Sequence, residues 1–533
     1  MARLTIDGKE IEVPAGTVLI EAARRLGIEI PHYCYHPGLS IAGQCRLCMV
    51  EIEKNPRLQI SCNTVATDGM VVQTGSPKVL ETRKSIMEFH LINHPLDCPV
   101  CDQAGECWLQ IYYMQHGLYE PRMMDEKVHK PKAVPLGPHV MLDAERCILC
   151  SRCVRFCDEV TGTSELGIFN RGDRSEIGLF PGRELANPYS GNVIDICPVG
   201  ALTDRDFRFA VRVWYLDRAK SVCPGCARGC NIEIHYNVRR PHHNAGRRVA
   251  RLKPRENPEV NKWWICDFGR YGFGFIDDPS RLLAPARREG PKAEEVSWED
   301  AVQLLAGRLR QYAPEEIGVL ASPQMANEDL FLLKRLAGHL GIRSLDFGVP
   351  PRDPGFEDHL LIRADKNPNS KGAELIGLLP RDGGPDARGM LQAARARRLK
   401  CLWVFHHDLT RSAWGEAEVL EALLALGCLI FQGSNANGVS AHAHLVLPSA
   451  TYAEREGTFT NFQGRVQRFR KAVEPLGESR PDWEILARVG EAVGLDLRPT
   501  RAEDLFRELA RTLPAFSGLS YRSLGDLGQK VQE

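Results

Sequence analysis

No stretch of this 533-residue chain is apolar for long enough to cross a bilayer. No apolar h-region follows Met1, because Arg3, Asp7, Lys9 and Glu10 interrupt every apolar run, so secretion is not expected. Neither sign of charge is in excess: Lys+Arg and Asp+Glu each count 68, which argues against nucleic acid as the main partner. A Walker loop, a Gly-x-Gly-x-x-Gly after a strand-like run and a nucleophile elbow are all missing. Cysteine is scarce beyond Cys266, where only Cys401 and Cys428 stand; the other 16 of the 18 lie at or before it. A disulfide scaffold would be short and secreted, so these crowded thiols point to metal ligation. The length allows three or four domains.

Residues 1–76 read as a small β-rich domain. Leu4-Thr5-Ile6 and Ile11-Glu12-Val13 alternate around the turn Asp7-Gly8, and an apolar-periodic helix runs from Thr17 through Leu19, Ala22, Ala23 and Leu26 to Gly27. Cys34, Cys45, Cys48 and Cys62 follow at C-x10-C-x2-C-x13-C spacing. Four thiolates from one loop and a following strand suit a [2Fe–2S] centre, whose two irons take two sulfurs each. A four-cysteine zinc site is the competing reading, but the long first loop is unlike a pair of zinc knuckles. Gly43 allows the backbone to approach a cluster closely.

Residues 77–93 are expected to form an amphipathic helix with Val79, Leu80, Ile86, Met87 and Leu91 inward. It leads into His94-Pro-Leu-Asp-Cys98-Pro-Val-Cys101-Asp-Gln-Ala-Gly-Glu-Cys107. Three thiolates at C-x2-C-x5-C spacing take three corners of one centre and leave the fourth open. His94, Asp97, Asp102 and water compete for it, with imidazole a ready ligand for zinc or for an iron–sulfur cluster. His90 on the same segment reads as packing or solvent-facing.

Cys147, Cys150, Cys153 and Cys157 then run at C-x2-C-x2-C-x3-C, with a distant Cys197-Pro198. In two-cubane ferredoxins three cysteines of such a run and a remote Cys-Pro hold one cubane. That assigns Cys147, Cys150, Cys153 and Cys197 to one [4Fe–4S] set. The second triplet would stand at Asn187, Ser190 and Val193, which cannot replace thiolates, so one of two clusters is read as lost. Cys157 is then a small buried hydrophobe, or else it competes with Cys197 as ligand.

Cys223, Cys226, Cys230 and Cys266 form a fourth set, for which a zinc ribbon and a [4Fe–4S] cluster both fit; three neighbouring cluster sets favour iron. Gly225 and Gly229 permit its tight turns, and Trp263 and Trp264 can exclude solvent. From about residue 275 the runs Ile317–Ala321, Cys401–Phe405, Cys428–Phe431 and Leu445–Leu447 alternate with helical segments such as Asp329–Leu340 and Ala417–Leu426, an α/β pattern with a mostly parallel sheet. Segment 350–390 reads as a surface excursion. Arg465, Arg468, Arg470 and Lys471 read as a solvated or partner-facing edge, and Cys401 and Cys428 as buried packing.

This order of cysteine sets resembles the large iron–sulfur subunit of bacterial respiratory NADH:quinone oxidoreductase. The stretch His94–Cys107 is similar to that family's His/Cys signature, and Asn192-Val-Ile-Asp-Ile-Cys-Pro-Val-Gly-Ala-Leu-Thr203 to its Cys-Pro segment. Ala321–Glu328, Leu447–Asn461, Gln463–Gln467 and Arg480-Pro-Asp-Trp483 are similar to molybdopterin oxidoreductases. The resemblance makes His94 the fourth ligand beside Cys98, Cys101 and Cys107, and the Cys223 set the extra, off-path cluster of many bacterial members. It implies α+β iron–sulfur domains (1–76 ferredoxin-like, 77–120 His/Cys-ligated, 121–215 ferredoxin-like with one cluster lost, 216–272 four-cysteine). A truncated, non-catalytic molybdopterin-oxidoreductase-like α/β domain would occupy 273–533. One [2Fe–2S] and three [4Fe–4S] clusters are implied, with no molybdopterin and no flavin on the chain. Implied partners are a flavin-bearing NADH-oxidising subunit, quinone-proximal peripheral-arm subunits and an eight-iron ferredoxin-like subunit. The chain would lie on the cytoplasmic face of the inner membrane, held there through the assembled complex. The competing readings are an electron-transfer chain of an NAD-linked hydrogenase, a molybdenum enzyme such as formate dehydrogenase, and a zinc-stabilised scaffold.

Overall fold

The computed structural model describes residues 1–240, 242–290, 292–353, 355–380, 383–497 and 499–532. Two compact units divide the chain, Met1–Leu216 and Asp217–Glu533.

The first unit opens with a hairpin, Ala2–Ile6 against Lys9–Val13, antiparallel with Arg3 opposite Glu12. Asp7 and Gly8 both take positive φ (47° and 77°), as a two-residue hairpin turn requires. Val71–Gln73, Met49–Ile52 and Gln59–Ile60 extend the sheet beyond Ala2–Ile6. Helix Leu19–Arg25 buries Leu19, Ile20, Ala22 and Ala23 against Leu4, Ile6, Val13, Val50 and Val72, and Cys48 and Cys62 belong to the same core.

Helix Pro77–Leu91 starts where Ser76 Oγ accepts from Val79 N–H and Pro77 takes the first helical position. Its inward face departs from the expected one. Val79, Arg83 and Met87 are buried, a strict i, i+4, i+8 stripe, while Leu80 is turned one position off it and is exposed. Arg83 spans the helix–sheet gap by donating to the Met49 carbonyl at 3.4 Å.

Further along, Val140–Leu142 pairs antiparallel with Leu202–Asp204 and with Val134–Pro135. Leu142 faces Leu202, so Cys147, five residues after one, and Cys197, five before the other, leave the same end of the pair.

The second unit begins with Asp217–Val222, Asn231–Tyr236 and Val249–Pro254 in antiparallel order. Its main sheet runs, in order, Lys292–Glu295, Ala286–Glu289, Leu445–Pro448, Cys428–Gly433, Cys401–Phe405, Ile317–Leu320 and Ser344–Asp346; the last five are parallel. Alternate residues feed two cores, Val319, Trp403 and Ile430 on one face and Leu320, Val404 and Phe431 on the other. Both faces are covered by helices, which is why these strands read as unbroken apolar runs.

One expectation for this unit needs correction and another gains detail. Segment 350–390 contains helix Ser370–Ile376, whose Ala373 and Ile376 enter the core, because Asn369 anchors it by donating to the Met325 carbonyl at 2.9 Å. Pro354, Arg381 and Asp382 of that segment lie outside the described residues. The basic run is largely satisfied within the unit: Arg465 donates to the Gly528 carbonyl, Arg468 pairs with Glu456, Arg470 with Asp526 and Lys471 with Glu474.

Candidate metal centres

Cys34, Cys45, Cys48 and Cys62 are all buried, and their thiols fall into two hydrogen-bonded pairs, Cys34 with Cys45 and Cys48 with Cys62. Within each pair the interaction draws Cys34 and Cys48 down, while Cys45 and Cys62 are pushed up by the same interaction and by burial. Two pairs of sulfurs is the grouping a two-iron centre takes. The loop that delivers them turns through Gly43 (φ 62°) and Arg46 (φ 58°), and a Cβ on Gly43 would sit 3.1 Å from Ile60 Cδ1. Tyr33 N–H donates to Cys45 Sγ at 3.4 Å.

Cys98, Cys101 and Cys107 lie close enough for the charges of Cys98 and Cys101 to add to burial in pushing the Cys107 thiol up to about 11. His94 carries a pKa lowered to about 4 by burial, so the ring is neutral and able to ligate. Its described contacts are with its own loop: Nδ1 accepts from Leu96 N–H at 3.2 Å, and the ring borders a cavity shared with Glu145 and Cys147. An imidazole ligating through Nε2 carries its proton on Nδ1, so metal loading would reverse that acceptor role. Two residues beside this set escaped sequence reasoning. Gly200 presses so close that a Cβ there would lie 2.3 Å from Cys101 Sγ. Arg146, buried, pairs with Asp97 and lies 3.4 Å from Asp143, and its charge acts on Cys101. The Val-Gly after Cys197-Pro198 carried no spacing signal that pointed to another set.

Cys147, Cys150, Cys153 and Cys197 line one small cavity with Leu142, Ile177, Val199 and Leu202. Burial pushes Cys147 and Cys197 each up to about 12, and Cys150 and Cys153 up as well. Such a pocket keeps bare thiols protonated, so it holds thiolates only when a cation compensates them. Leu149 N–H donates to Cys147 Sγ at 3.4 Å. Cys157 lies outside this cavity, and burial and the nearby Glu165 push its thiol up.

These three sets share packing. Cys34, Cys45, Cys107, Cys147, Cys150 and Cys197 belong to one apolar cluster with Tyr33, Met87, Tyr112 and Val199. Arg155 donates to the carbonyls of Cys34 (2.6 Å) and Cys150 (3.3 Å), and Trp108 N–H, next to Cys107, donates to the Pro198 carbonyl, next to Cys197 (2.9 Å). His90, expected to be packing or solvent-facing, packs: it meets the Cys45 carbonyl at 3.2 Å and the Tyr33 ring edge-on at 5.0 Å.

In the second unit Cys223 N–H donates to the Cys230 carbonyl at 2.8 Å, closing the loop between Asp217–Val222 and Asn231–Tyr236. Cys226 and Cys266 act on these two electrostatically; burial pushes Cys266 up to about 11, and Cys223 and Cys230 up as well. Gly225 and Gly269 donate N–H to Cys223 Sγ (3.4 Å) and Cys266 Sγ (3.3 Å), and a Cβ on Gly269 would meet Cys223 Sγ at 2.9 Å. The motifs of the C-terminal half brace this loop: Gln467 donates to the Gly229 carbonyl (2.6 Å), Asn461 to that of Arg228 (3.2 Å), and Phe462 N–H to that of Ala227 (2.9 Å). Tyr452, buried, is the neighbour of Cys223 that sequence reasoning missed. Trp264 is buried and Trp263 half-buried.

Among the described residues no three His, Cys, Asp or Glu side chains converge closely enough to share one metal ion, whereas a polynuclear cluster spreads its ligands around its own volume. A cavity of about 600 Å³ opens at the C-terminal ends of the parallel strands, where Gln324, His406, Ser434 and Ala450 follow them, and no cysteine lines it. No helix among the described residues is long and apolar enough to cross a membrane.

Grouped, buried thiols with amide N–H groups on their sulfurs mark the class of iron–sulfur proteins that handle single electrons. Family models agree: a 2Fe-2S iron-sulfur cluster binding domain matches residues 1–77, the NADH-ubiquinone oxidoreductase-G iron-sulfur binding region 83–122, the NADH-quinone oxidoreductase subunit 3 ferredoxin-like domain 137–203, and molybdopterin oxidoreductase 367–492. The G-type subunit of NADH-quinone oxidoreductase from Rickettsia bellii is 30% identical over 97% of this chain and 90% of its own length. The mitochondrial NADH-ubiquinone oxidoreductase 78 kDa subunit of Neurospora crassa is 31% identical over 96% of this chain and 84% of its own length. A chain of the NAD+-reducing [NiFe]-hydrogenase aligns with 40% of this chain and 91% of its own at 31% identity and a TM-score of 0.36. The chain belongs to the G-type subunit family of NADH-quinone oxidoreductases.

Proposed function

We propose that this chain is the electron-relay iron–sulfur subunit of an NADH:quinone oxidoreductase, working within a multi-subunit assembly. The observation that carries the reading is the single packed cluster in which three cysteine sets of the first unit meet. Cys34, Cys45, Cys48 and Cys62 would hold a [2Fe–2S] cluster. His94, Cys98, Cys101 and Cys107, then Cys147, Cys150, Cys153 and Cys197, then Cys223, Cys226, Cys230 and Cys266 would each hold a [4Fe–4S] cluster. Bound there, these groups supply one-electron oxidation and reduction and no hydride chemistry. The residues themselves bury the thiols and point N–H groups at their sulfurs.

The same proposal divides the chain at about 76, 120, 215 and 272, with 273–533 a scaffold carrying no molybdopterin. Its partners are a flavin-bearing NADH-oxidising subunit, quinone-proximal peripheral-arm subunits and an eight-iron ferredoxin-like subunit, and its site is the cytoplasmic face of the inner membrane. Iron, sulfide, zinc and molybdenum assays on the anaerobically purified assembly, read beside EPR spectra, test it. About 14 irons on this chain, with matching sulfide, are expected. Zinc in their place would establish a scaffold, and stoichiometric molybdenum a catalytic enzyme.

A further inference from the structure

The ligand set that lacks its cysteines is not an empty space. Cys157, its surviving thiol, is fully buried on the π-helical turn Phe156–Val160, directly after the helix that carries Cys153. Asn187, Ser190 and Val193 stand where the matching triplet would be, and all three are buried. Between the two sides lies the carboxylate of Glu165, itself 5% exposed. It accepts from Asn187 Nδ2 at 2.9 Å and from Thr163 Oγ1, and it lies near enough to the Cys157 thiol to add to burial in pushing that group up. Its own segment is tied to Cys157, whose carbonyl accepts from Thr163 N–H at 2.9 Å and Ser164 N–H at 3.2 Å. Opposite ends of the vacated set thus share one anion.

We infer that Glu165 stands in the place of the missing second cluster and does its mechanical work, tying the segment that carries Cys153 to the segment that carries Cys197. Asn187 passes the tie onward: its Oδ1 accepts from Tyr189 N–H at 3.0 Å, and Asn192 Nδ2 donates to the Tyr189 carbonyl at 2.8 Å, within the turn that ends at Cys197. A cluster is an anionic, acceptor-rich body held by both segments, and a buried carboxylate that accepts from one segment and lies against the thiol of the other supplies the same kind of tie. Replacing only the ligands would have left a cavity between two ligand-bearing segments, at the cost attached to any buried void. Glu165 is therefore a positioning residue for the Cys147, Cys150, Cys153 and Cys197 set, acting through the backbone and through its charge. The inference rests on the proposed [4Fe–4S] cluster at that set.

Four variants of the assembled protein test it, each compared with wild type by iron and sulfide content and by redox-titrated EPR. Wild type lacking the cluster signal would defeat the cluster assignment itself, and is read first. With the signal present, Glu165→Ala is expected to broaden it, shift its potential and lower its occupancy, leaving the Cys34 signal alone. Glu165→Gln keeps the volume and removes the charge, so it should shift the potential upward even if the alanine variant does not fold. Glu165→Gly combined with Asn187→Cys, Ser190→Cys and Val193→Cys clears the space and rebuilds the ligands beside the native Cys157. It should gain about four irons per chain, whereas the same three cysteines with Glu165 retained should gain none. Unchanged potential and line shape in both single variants would overturn the positioning role. Equal iron uptake with and without Glu165, or uptake in neither, would show that this carboxylate is not in the cluster's place.

Discussion

At the scale of single residues, what limits these sites is room beside sulfur. Gly200 approaches Cys101 so closely that Gly200→Ala would put a methyl within 2.3 Å of Sγ, well inside contact distance. Neither neighbour can give way: Cys101 is buried, and Gly200 follows Cys197-Pro198-Val199, which is tied to Trp108 through the Pro198 carbonyl. Overpacking of this kind costs about 1–3 kcal/mol, and here it falls on Cys101, a proposed ligand. Iron analysis of the Gly200→Ala protein should show a loss of about four irons per chain; full iron content would mean that the loop moves freely. A charge argument applies to His94. Exchanging a neutral imidazole for a thiolate adds one negative charge to that set, so His94→Cys should lower the potential of its EPR signal, because the reduced state carries the greater charge. An unaltered titration would remove His94 from the ligand set, and its described contacts with Leu96 and Asp97 make that a real test.

Elements explain how much of this was legible beforehand. The hairpin Ala2–Ile6 with Lys9–Val13, the helix after it and the parallel strands of the second unit were all readable, since local alternation and a two-residue turn specify them. The cysteine spacings propose four groups, although which sulfur pairs with which depends on the loops. Long-range closeness was not readable. Nothing in the Cys197 segment announces that its glycine touches another set, nor that Glu165 bridges Cys157 and Asn187. Leu80 was misread because an apolar residue next to a stripe counts the same as one on it until the partner surface is known.

Helix Asn327–His339 gives an element-level prediction of the same hidden kind. Its Glu328 accepts from Thr458 N–H at 2.9 Å and from Tyr521 Oη at 2.9 Å, yet burial outweighs these bonds and pushes its pKa from an ordinary 4.5 up to about 7. The folded unit therefore binds this proton more tightly than the unfolded chain does. Its contribution is full below about 4.5 and is lost as pH rises through about 7, a change on the order of 3 kcal/mol. Melting of the second unit from pH 4.5 to 8 should fall more steeply in wild type than in Glu328→Gln. Parallel curves would show that Glu328 is ionised throughout.

The whole molecule joins two units that owe their stability to different things. In Met1–Leu216 the apolar cluster that binds the cysteine segments together has six cysteines among its members, with Tyr33, Met87, Leu109 and Tyr112 packed beside the thiols. Without metal, Cys147 and Cys153 would be neutral thiols around space that protein atoms do not fill, in a unit whose sheets have five, three and two short strands. In Asp217–Glu533 the seven-stranded sheet is packed on both faces by aliphatic and aromatic side chains, and the proposed cluster ligands lie outside both of these cores, on the loop Cys223–Cys230 and at Cys266. Chelation and oxidative removal of iron should therefore abolish amide protection across residues 30–60, 94–116 and 142–202. Strands Ile317–Leu320, Cys401–Phe405 and Cys428–Gly433 should keep theirs. Hydrogen exchange read by mass spectrometry on the iron-depleted chain checks this segment by segment. Uniform loss in both units would mean that the sheet of the second unit also depends on iron. Uniform retention would mean that the thiol-rich core closes without metal, and the ligand assignments would then lose their structural basis.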